Sequence, residues 1–280
     1  MNIHNFIDSL LARFKPATNE TKTPLYVSAK GVRELAGDSA NLGGTAFFRN
    51  RPLFKTLIDL LAAEETKPLR VLVHACSIGT EVYSFAIACE LDPRLKGRVS
   101  LYATDIEGRF IDFAKRGVYP VELTRNFTPM EATFLEKVSE DSVRVSERIQ
   151  ARVNFLPACS YTDFLPEEPS TFDLVFILNS LCYVSAEQQS ATIEKVSSYN
   201  TRYLSTFVFH LDTIKSDLVK AGYEPVTTNI HAIHETWASR QQAKHKGAKK
   251  PAPFYIDLTL PPFDKIPDYE FKYCSIFRKK

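Results

Sequence analysis

Apolar positions near the start of the chain recur at three- and four-residue spacing. Ile3, Phe6, Ile7, Leu10, Leu11 and Phe14 predict an amphipathic helix over 3–14, ended by Pro16. Its polar face is not cationic, which favours packing on the body of the chain over lying on a membrane surface. The polar stretch 17–23 is expected to be a linker. Leu42-Gly-Gly-Thr-Ala-Phe-Phe-Arg-Asn50 then forms a glycine-bearing loop. It leads into a second helix with Pro52 near its start and Leu53, Phe54, Leu57, Ile58, Leu60 and Leu61 along it.

From Leu69 the pattern changes to short β-rich runs alternating with helical ones, the signature of a parallel sheet with crossover helices. Strands are expected at 70–75, 98–104, 153–156, 172–178 and 203–209, and helices at 80–91, 107–115, 185–196 and 212–221. Ser185-Ala-Glu-Gln188 has the form of a capping box, and Gly222 takes the position just past a helix end. Residues 120–150 are less regular and charged, and predict helical turns with a small surface excursion. Beyond Gly222, the segments 224–233, 254–260 and 271–277 are β-like and predict antiparallel strands at one sheet edge. Between them lies a basic loop, 242–253. The pattern divides into an N-terminal helical cap with a cofactor-covering segment, 1–66, and an α/β domain, 67–280.

Composition narrows the function. Among 280 residues, 35 Lys+Arg face 33 Asp+Glu, a formal net charge of +2. Nucleic-acid binding through a strongly basic surface needs many more uncompensated cations, so it is not expected. No apolar run approaches the ~20 residues of a membrane span. The first residues carry Asp8 and no cationic leader, unlike a signal peptide. Five scattered cysteines, mostly in apolar segments, suit buried thiols in a reducing cytoplasm.

The sharpest chemical feature is the strand at 70–75 followed at once by Cys76-Ser-Ile-Gly-Thr-Glu-Val-Tyr-Ser84. A tight strand-to-helix turn with a glycine lets a ligand approach the backbone at the carboxyl edge of the sheet. A G-x-G-x-x-G run and a Walker lysine are both absent, which disfavours NAD and nucleoside triphosphates. The next strand ends at Asp105, 26 positions after Gly79, where an acid can accept hydrogen bonds from ribose hydroxyls.

Four segments come in the order seen in CheR-type methyltransferases. They are Thr45-Ala-Phe-Phe-Arg49, the 76–84 turn, Ala103-Thr-Asp-Ile106 with Ala114-Lys-Arg-Gly-Val-Tyr119, and Phe172-Asp-Leu-Val-Phe-Ile-Leu-Asn-Ser-Leu-Cys-Tyr183. The sequence resembles that family over roughly 42–200. The resemblance implies a class I, Rossmann-like fold, mostly parallel with an antiparallel edge, that binds S-adenosylmethionine (AdoMet) and releases S-adenosylhomocysteine. In that family the methyl goes to glutamate side chains of bacterial chemoreceptors. Carried over by position, the family pattern assigns Thr45 and Arg49 to the methionine end of AdoMet, with Arg49 also facing the acceptor. Cys76, Gly79 and Glu81 fall on the cofactor side of the first turn and Asp105 on the ribose. Asn179 and Ser180 border the cofactor, and Tyr183 lies near the transferred methyl. Arg49 and Tyr183 are the catalytic candidates.

Each assignment has a structural alternative: Arg49 as a helix cap or ion pair, Tyr183 as a core aromatic, Glu81 as a complement to a helix N-terminus. The chain also departs from the family. Ile78, Thr80 and Val82 stand in the Cys-Ser-Thr-Gly-Glu-Glu-Pro-Tyr-Ser turn, removing one acid. Ile177-Leu178-Asn179-Ser180 replaces Cys-Arg-Asn-Val, removing an arginine. Ser197-Ser-Tyr-Asn-Thr-Arg202 stands where a Gly-Gly segment is usual. The motifs therefore carry the cofactor more fully than the acceptor, which is expected to be an oxygen, a carboxylate, on a small metabolite or a protein. A non-catalytic AdoMet-binding or interaction module is the alternative. No metal is expected: His231 and His234 would point to opposite faces of a strand. Trp237, Tyr223 and Phe254 are core aromatics or the lining of an acceptor pocket.

Overall fold

The computed structural model describes residues 25–28, 31–34, 45–64, 67–165, 171–207, 212–245, 259–263 and 265–280. The expected helix at 3–14, the linker at 17–23, residues 246–253 of the basic loop and residues 254–258 of the β-like segment 254–260, Phe254 among them, lie outside them. The chain divides into two compact units. The first gathers the described residues up to Arg49, Leu72–Phe164 and Tyr183–Ser185; the second gathers Asn50–Val71, Leu165–Cys182 and Ala186–Lys280.

The strands are β1 (Leu25–Ser28), β2 (Gly31–Glu34), β3 (Leu69–Val73), β4 (Val99–Ala103), β5 (Val118–Pro120), β6 (Leu135–Lys137), β7 (Ser142–Val145), β8 (Val153–Phe155), β9 (Leu174–Ile177), β10 (Tyr203–Thr206), β11 (Tyr223–Pro225) and β12 (Ile276–Lys279). Seven of them form a mostly parallel sheet in the order β11-β12-β10-β9-β3-β4-β8. β9 and β10 run parallel, as do β4 and β8, whereas β12 is antiparallel to both β10 and β11. The expected antiparallel edge is thus present, made by one strand entering between two others. β3 and β9 are almost wholly buried, which matches their continuous apolar sequences.

In the first unit, α2 (Thr80–Leu91) is buried nearly all round, and α3 (Gly108–Arg116) buries Phe110, Ile111 and Ala114. Gly117 ends α3 in the left-handed conformation, φ 63°, after Lys115 and Arg116 in the last turn. The stretch 120–150 is more ordered than its sequence suggests. β5, β7 and β6 form a small antiparallel sheet, with short helices α4 (Pro129–Ala132) and α5 (Glu147–Gln150) beside it in the chain. A Thr128–Glu131 capping box opens α4. Strands of three or four residues with charged side chains carry little periodicity, which hides them in the sequence.

In the second unit, α1 (Arg51–Ala62) buries Leu53, Phe54, Thr56, Leu57, Ile58 and Leu61 on one face. Asn50 caps it by accepting from the Leu53 N–H at 3.1 Å, and its amide donates to the Ile233 carbonyl at 3.0 Å. The helices α6 (Ala186–Ser198) and α7 (Asp212–Lys220) follow β9 and β10 as expected. Two expectations fail. The β-like segment 224–233 gives only β11; from Ile230 the chain is helical, α8 (Ile230–His245), and the start of the basic loop belongs to this helix. The stripe Ile230, Ile233, His234, Trp237 and Ala238 is buried at helical spacing. A histidine in that stripe obscures the apolar periodicity. The segment 271–277 likewise splits into α9 (Tyr269–Tyr273) and the start of β12.

Candidate active site

Six residues, His74–Gly79, join β3 to α2, and three of them have positive φ: Ala75 (52°), Ser77 (51°) and Gly79 (84°). Non-glycine residues in this region store strain that the surroundings must hold. Here the Cys76 N–H donates to the Thr104 carbonyl (3.0 Å) and the Gly79 N–H to the Cys76 carbonyl (2.9 Å). Tyr119 Oη donates to the Ile78 carbonyl at 2.6 Å, and Tyr83 Oη to the Ala114 carbonyl at 2.8 Å. A Cβ on Gly79 would lie 2.8 Å from Ala114 Cβ and 3.2 Å from Tyr119 Oη. The glycine is therefore required by the close approach of α3 as well as by its φ. The space its missing side chain leaves is filled by protein, not held open for a ligand.

Asp105 follows β4 and ties this turn to the next. Its Oδ2 accepts from the Ser77 N–H at 2.8 Å and its Oδ1 from the Glu107 N–H at 3.0 Å. Burial pushes its carboxyl up to about 6, with the backbone donors pulling the other way. Ile106, its neighbour, is 50% exposed.

The loop from Thr45 to Arg49 is fastened to the first turns of α2 at three points. Thr45 Oγ1 and Thr80 Oγ1 are 2.5 Å apart, the Phe48 N–H donates to Ser84 Oγ (2.9 Å), and Arg49 meets Glu81. That last pair is a two-point fork, Nε to Oε1 at 2.6 Å and Nη2 to Oε2 at 2.5 Å, with side chains 16% and 9% exposed. Thr80 and Ser84 share a helix face, so one hydroxyl row receives the loop. Phe47 and Phe48 bury themselves edge-on to Phe127. Thr80 and Ser84, the loop's anchors, give no sign of this role in the sequence.

In the second unit, Asn179 follows β9 at φ 55°. Its side-chain oxygen accepts from the Trp237 indole N–H at 3.0 Å. The Ser180 hydroxyl oxygen is buried and has no partner among the described residues. A 3-10 turn, Leu181–Tyr183, comes next, held by Gln189 Nε2 donating to the Leu181 carbonyl (3.0 Å). Tyr183, which falls in the first unit, is 37% exposed. Tyr223 is a core residue whose hydroxyl donates to the Thr201 carbonyl at 3.1 Å. Trp237 is buried, and no local sequence signal announces its bond to a residue 58 positions away.

His231 and His234 are one turn apart on α8 rather than on a strand. His234 is fully buried with a ring nitrogen 2.8 Å from the Thr259 carbonyl. No cluster of metal-binding side chains occurs among the described residues. His74, which the sequence does not single out, is held neutral by burial, with its pKa lowered to about 3, between the rings of Tyr161 and Phe164. All five cysteines are free thiols, and burial raises each above the usual thiol range, Cys182 to about 11. None is poised as a thiolate nucleophile.

A mostly parallel sheet whose last strand enters antiparallel beside the fifth, with a glycine turn after the first strand and an acid after the second, defines a class I AdoMet-dependent methyltransferase. Residues 44–215 match the family described as CheR methyltransferase, SAM binding domain. The chain belongs to this family. It is 27% identical over 207 residues to a chemotaxis protein methyltransferase of Vibrio parahaemolyticus, covering 70% of this chain and 74% of that one. It is 27% identical over 178 residues to chemotaxis protein methyltransferase 1 of Vibrio cholerae, covering 60% and 64%. Among solved structures, magnesium protoporphyrin IX methyltransferase from Synechocystis PCC 6803 with bound SAM aligns at 14% identity and TM-score 0.40, covering 68% of this chain and 77% of that one. No described helix is long and apolar enough to cross a membrane.

Proposed function

We propose that the chain moves the methyl group of AdoMet to an oxygen acceptor, a carboxylate on a protein or a small metabolite. The observation that carries this reading is the Arg49–Glu81 fork. The methionine end of AdoMet is a zwitterion, and a carboxylate paired with a guanidinium, both largely removed from water, is its charge complement. On this reading Glu81 takes the ammonium and Arg49 the carboxylate, with Thr45 beside them. Asp105 accepts backbone N–H groups from Ser77 and Glu107 on different oxygens and retains lone-pair capacity for ribose hydroxyls. Exposed Ile106 offers an apolar surface to the base. Cys76 and Gly79 contribute the main chain of the turn, and Asn179 and Ser180 border the cofactor.

AdoMet, when bound, supplies a methyl on a sulfonium centre. The chain's part is to hold the acceptor in line with it: Arg49 and the Tyr183 hydroxyl orient the acceptor oxygen by charge-assisted hydrogen bonds. A carboxylate is already ionised at neutral pH, so no general base is required. The Vibrio relatives' names favour a protein acceptor. Five free thiols favour a reducing compartment, the cytoplasm.

Incubation with isotope-labelled AdoMet and cell extract, followed by mass spectrometry of labelled species, tests the reading. Base-labile label is the expected outcome, as for a methyl ester. Base-stable label would move the acceptor to nitrogen, sulfur or carbon. Failure of AdoMet and S-adenosylhomocysteine to bind in calorimetry would overturn the reading altogether.

A further inference from the structure

We propose that Trp237 is a positioning residue that turns the Asn179 amide donor-side out, so that the end of β9 accepts an oxygen acceptor and rejects an amine. The inference rests on the reading above, in which Asn179 borders the cofactor, and extends it to the choice of acceptor chemistry.

An asparagine amide has a donor end and an acceptor end of nearly equal size, and its environment decides which points where. At Asn179 the environment leaves no choice. The indole N–H of Trp237 can only donate, and it lies 3.0 Å from the amide. The atom facing it must be the carbonyl oxygen; the opposite orientation would set one N–H against another. The side chain's acceptor is thereby engaged, and its NH2 group is directed elsewhere.

The indole is itself immobilised. Trp237 stacks on Phe207, with ring centres 6.0 Å apart and an interplanar angle of 27°, and leans on His234 at 5.7 Å. His234 is pinned at the Thr259 carbonyl and packed edge-on by Phe263 at 5.2 Å and Tyr273 at 4.7 Å. The backbone of Asn179 is fixed as well, in the left-handed region that asparagine tolerates better than most residues.

What remains for a ligand at this strand end is a donor set. Asn179 is half-buried, and its NH2 carries two N–H groups with no hydrogen-bond partner among the described residues. Beside it the buried Ser180 hydroxyl also has no partner among the described residues. A carboxylate is acceptor-only and suits such donors, whereas an amine nucleophile needs acceptors for its own N–H groups. Discrimination then comes as much from refusing the amine as from holding the oxygen.

The test uses the full chain in three forms: wild type, W237F and N179D. Trp237 is the only tryptophan, so a 15N-labelled sample has a single indole N–H signal reporting on this bond. With S-adenosylhomocysteine bound, acetate and methylammonium are titrated at equal ionic strength as minimal oxygen and nitrogen probes, following the indole and asparagine side-chain signals. In wild type, acetate should shift both signals and methylammonium neither. W237F, whose amide is free to turn, should bring the acetate-to-methylammonium preference down at least tenfold, with S-adenosylhomocysteine affinity within threefold of wild type. N179D keeps the indole bond and replaces the NH2 with a carboxylate oxygen, and should reverse the preference even if W237F unfolds. If S-adenosylhomocysteine binds but wild type ignores acetate, or if folded W237F or N179D keeps the wild-type preference, this inference fails alone. If S-adenosylhomocysteine does not bind wild type, the methyltransferase reading fails with it.

Discussion

The carboxylate of Glu81 and the guanidinium of Arg49 meet through both oxygens of one and two nitrogens of the other, joining a loop to a helix 32 residues further along the chain. Breaking a largely buried pair from one side leaves a poorly solvated charge, at about 2–4 kcal/mol. Chemical denaturation should therefore show E81A and R49A each destabilised by about that amount. The double variant should lose clearly less than the sum, by a coupling of about 1–3 kcal/mol. Additive losses would mean that the fork contributes little to the fold.

Asp105 makes stability and cofactor binding depend on pH in opposite directions. Its carboxyl rises from 3.8 to about 6 on folding, so the folded chain holds a proton that the unfolded chain releases between those values. This group's contribution is fully favourable below pH 4 and is lost as pH rises to 6, by about 3 kcal/mol. Ribose hydroxyls donating to the carboxylate favour its ionised form, so AdoMet affinity should climb through pH 6 and then level. Calorimetry across pH 4–8 on wild type and D105N checks both ends, since the variant should lack both of these dependences. D105N should also be less stable at low pH, because the Ser77 and Glu107 N–H groups meet different carboxyl oxygens and an amide offers only one acceptor oxygen.

Two glycines at similar φ separate the effect of conformation from that of contact. Gly79 (φ 84°) faces Ala114 at 2.8 Å, whereas Gly222 (φ 80°) has nothing within 4 Å. G222A should lower stability by about 1 kcal/mol, the left-handed penalty alone. G79A should lose at least about 2 kcal/mol more, because α3 must yield to the new methyl. Equal melting temperatures for the two variants would contradict the contact argument.

Tyr183 is assigned to the acceptor and not to the cofactor. Y183F should keep AdoMet affinity within about threefold while turnover of labelled methyl falls about tenfold or more, the pattern of an interaction made in the transition state. A parallel loss of affinity would move the hydroxyl to the cofactor side.

Much of the fold was legible because buried parallel strands and amphipathic helices leave strong periodic signals. The run 70–75, the helix at 80–91, Asp105 at its strand end and Gly222 past its helix all stand where the pattern puts them. The failures have physical causes. α8 buries His234 among apolar neighbours and exposes Ala232, so its stripe does not separate cleanly by polarity. β6 and β7 are too short for an alternation to show. Within the candidate site, the family pattern singles out Arg49 and Glu81 one by one, but nothing in the sequence indicates that they pair across 32 positions. The Trp237–Asn179 bond is a tertiary contact, which single-sequence reasoning has no means of finding.

β12 has a consequence for the newly made chain. It completes hydrogen bonding on the facing edges of β10 and β11, both synthesised tens of residues earlier. Until Ile276–Lys279 leaves the ribosome those two edges stand open, and open edges are templates for pairing with other chains. A nascent chain arrested before Ile276 should therefore depend on chaperones, and the arrival of β12 is the step that joins β10 to β11.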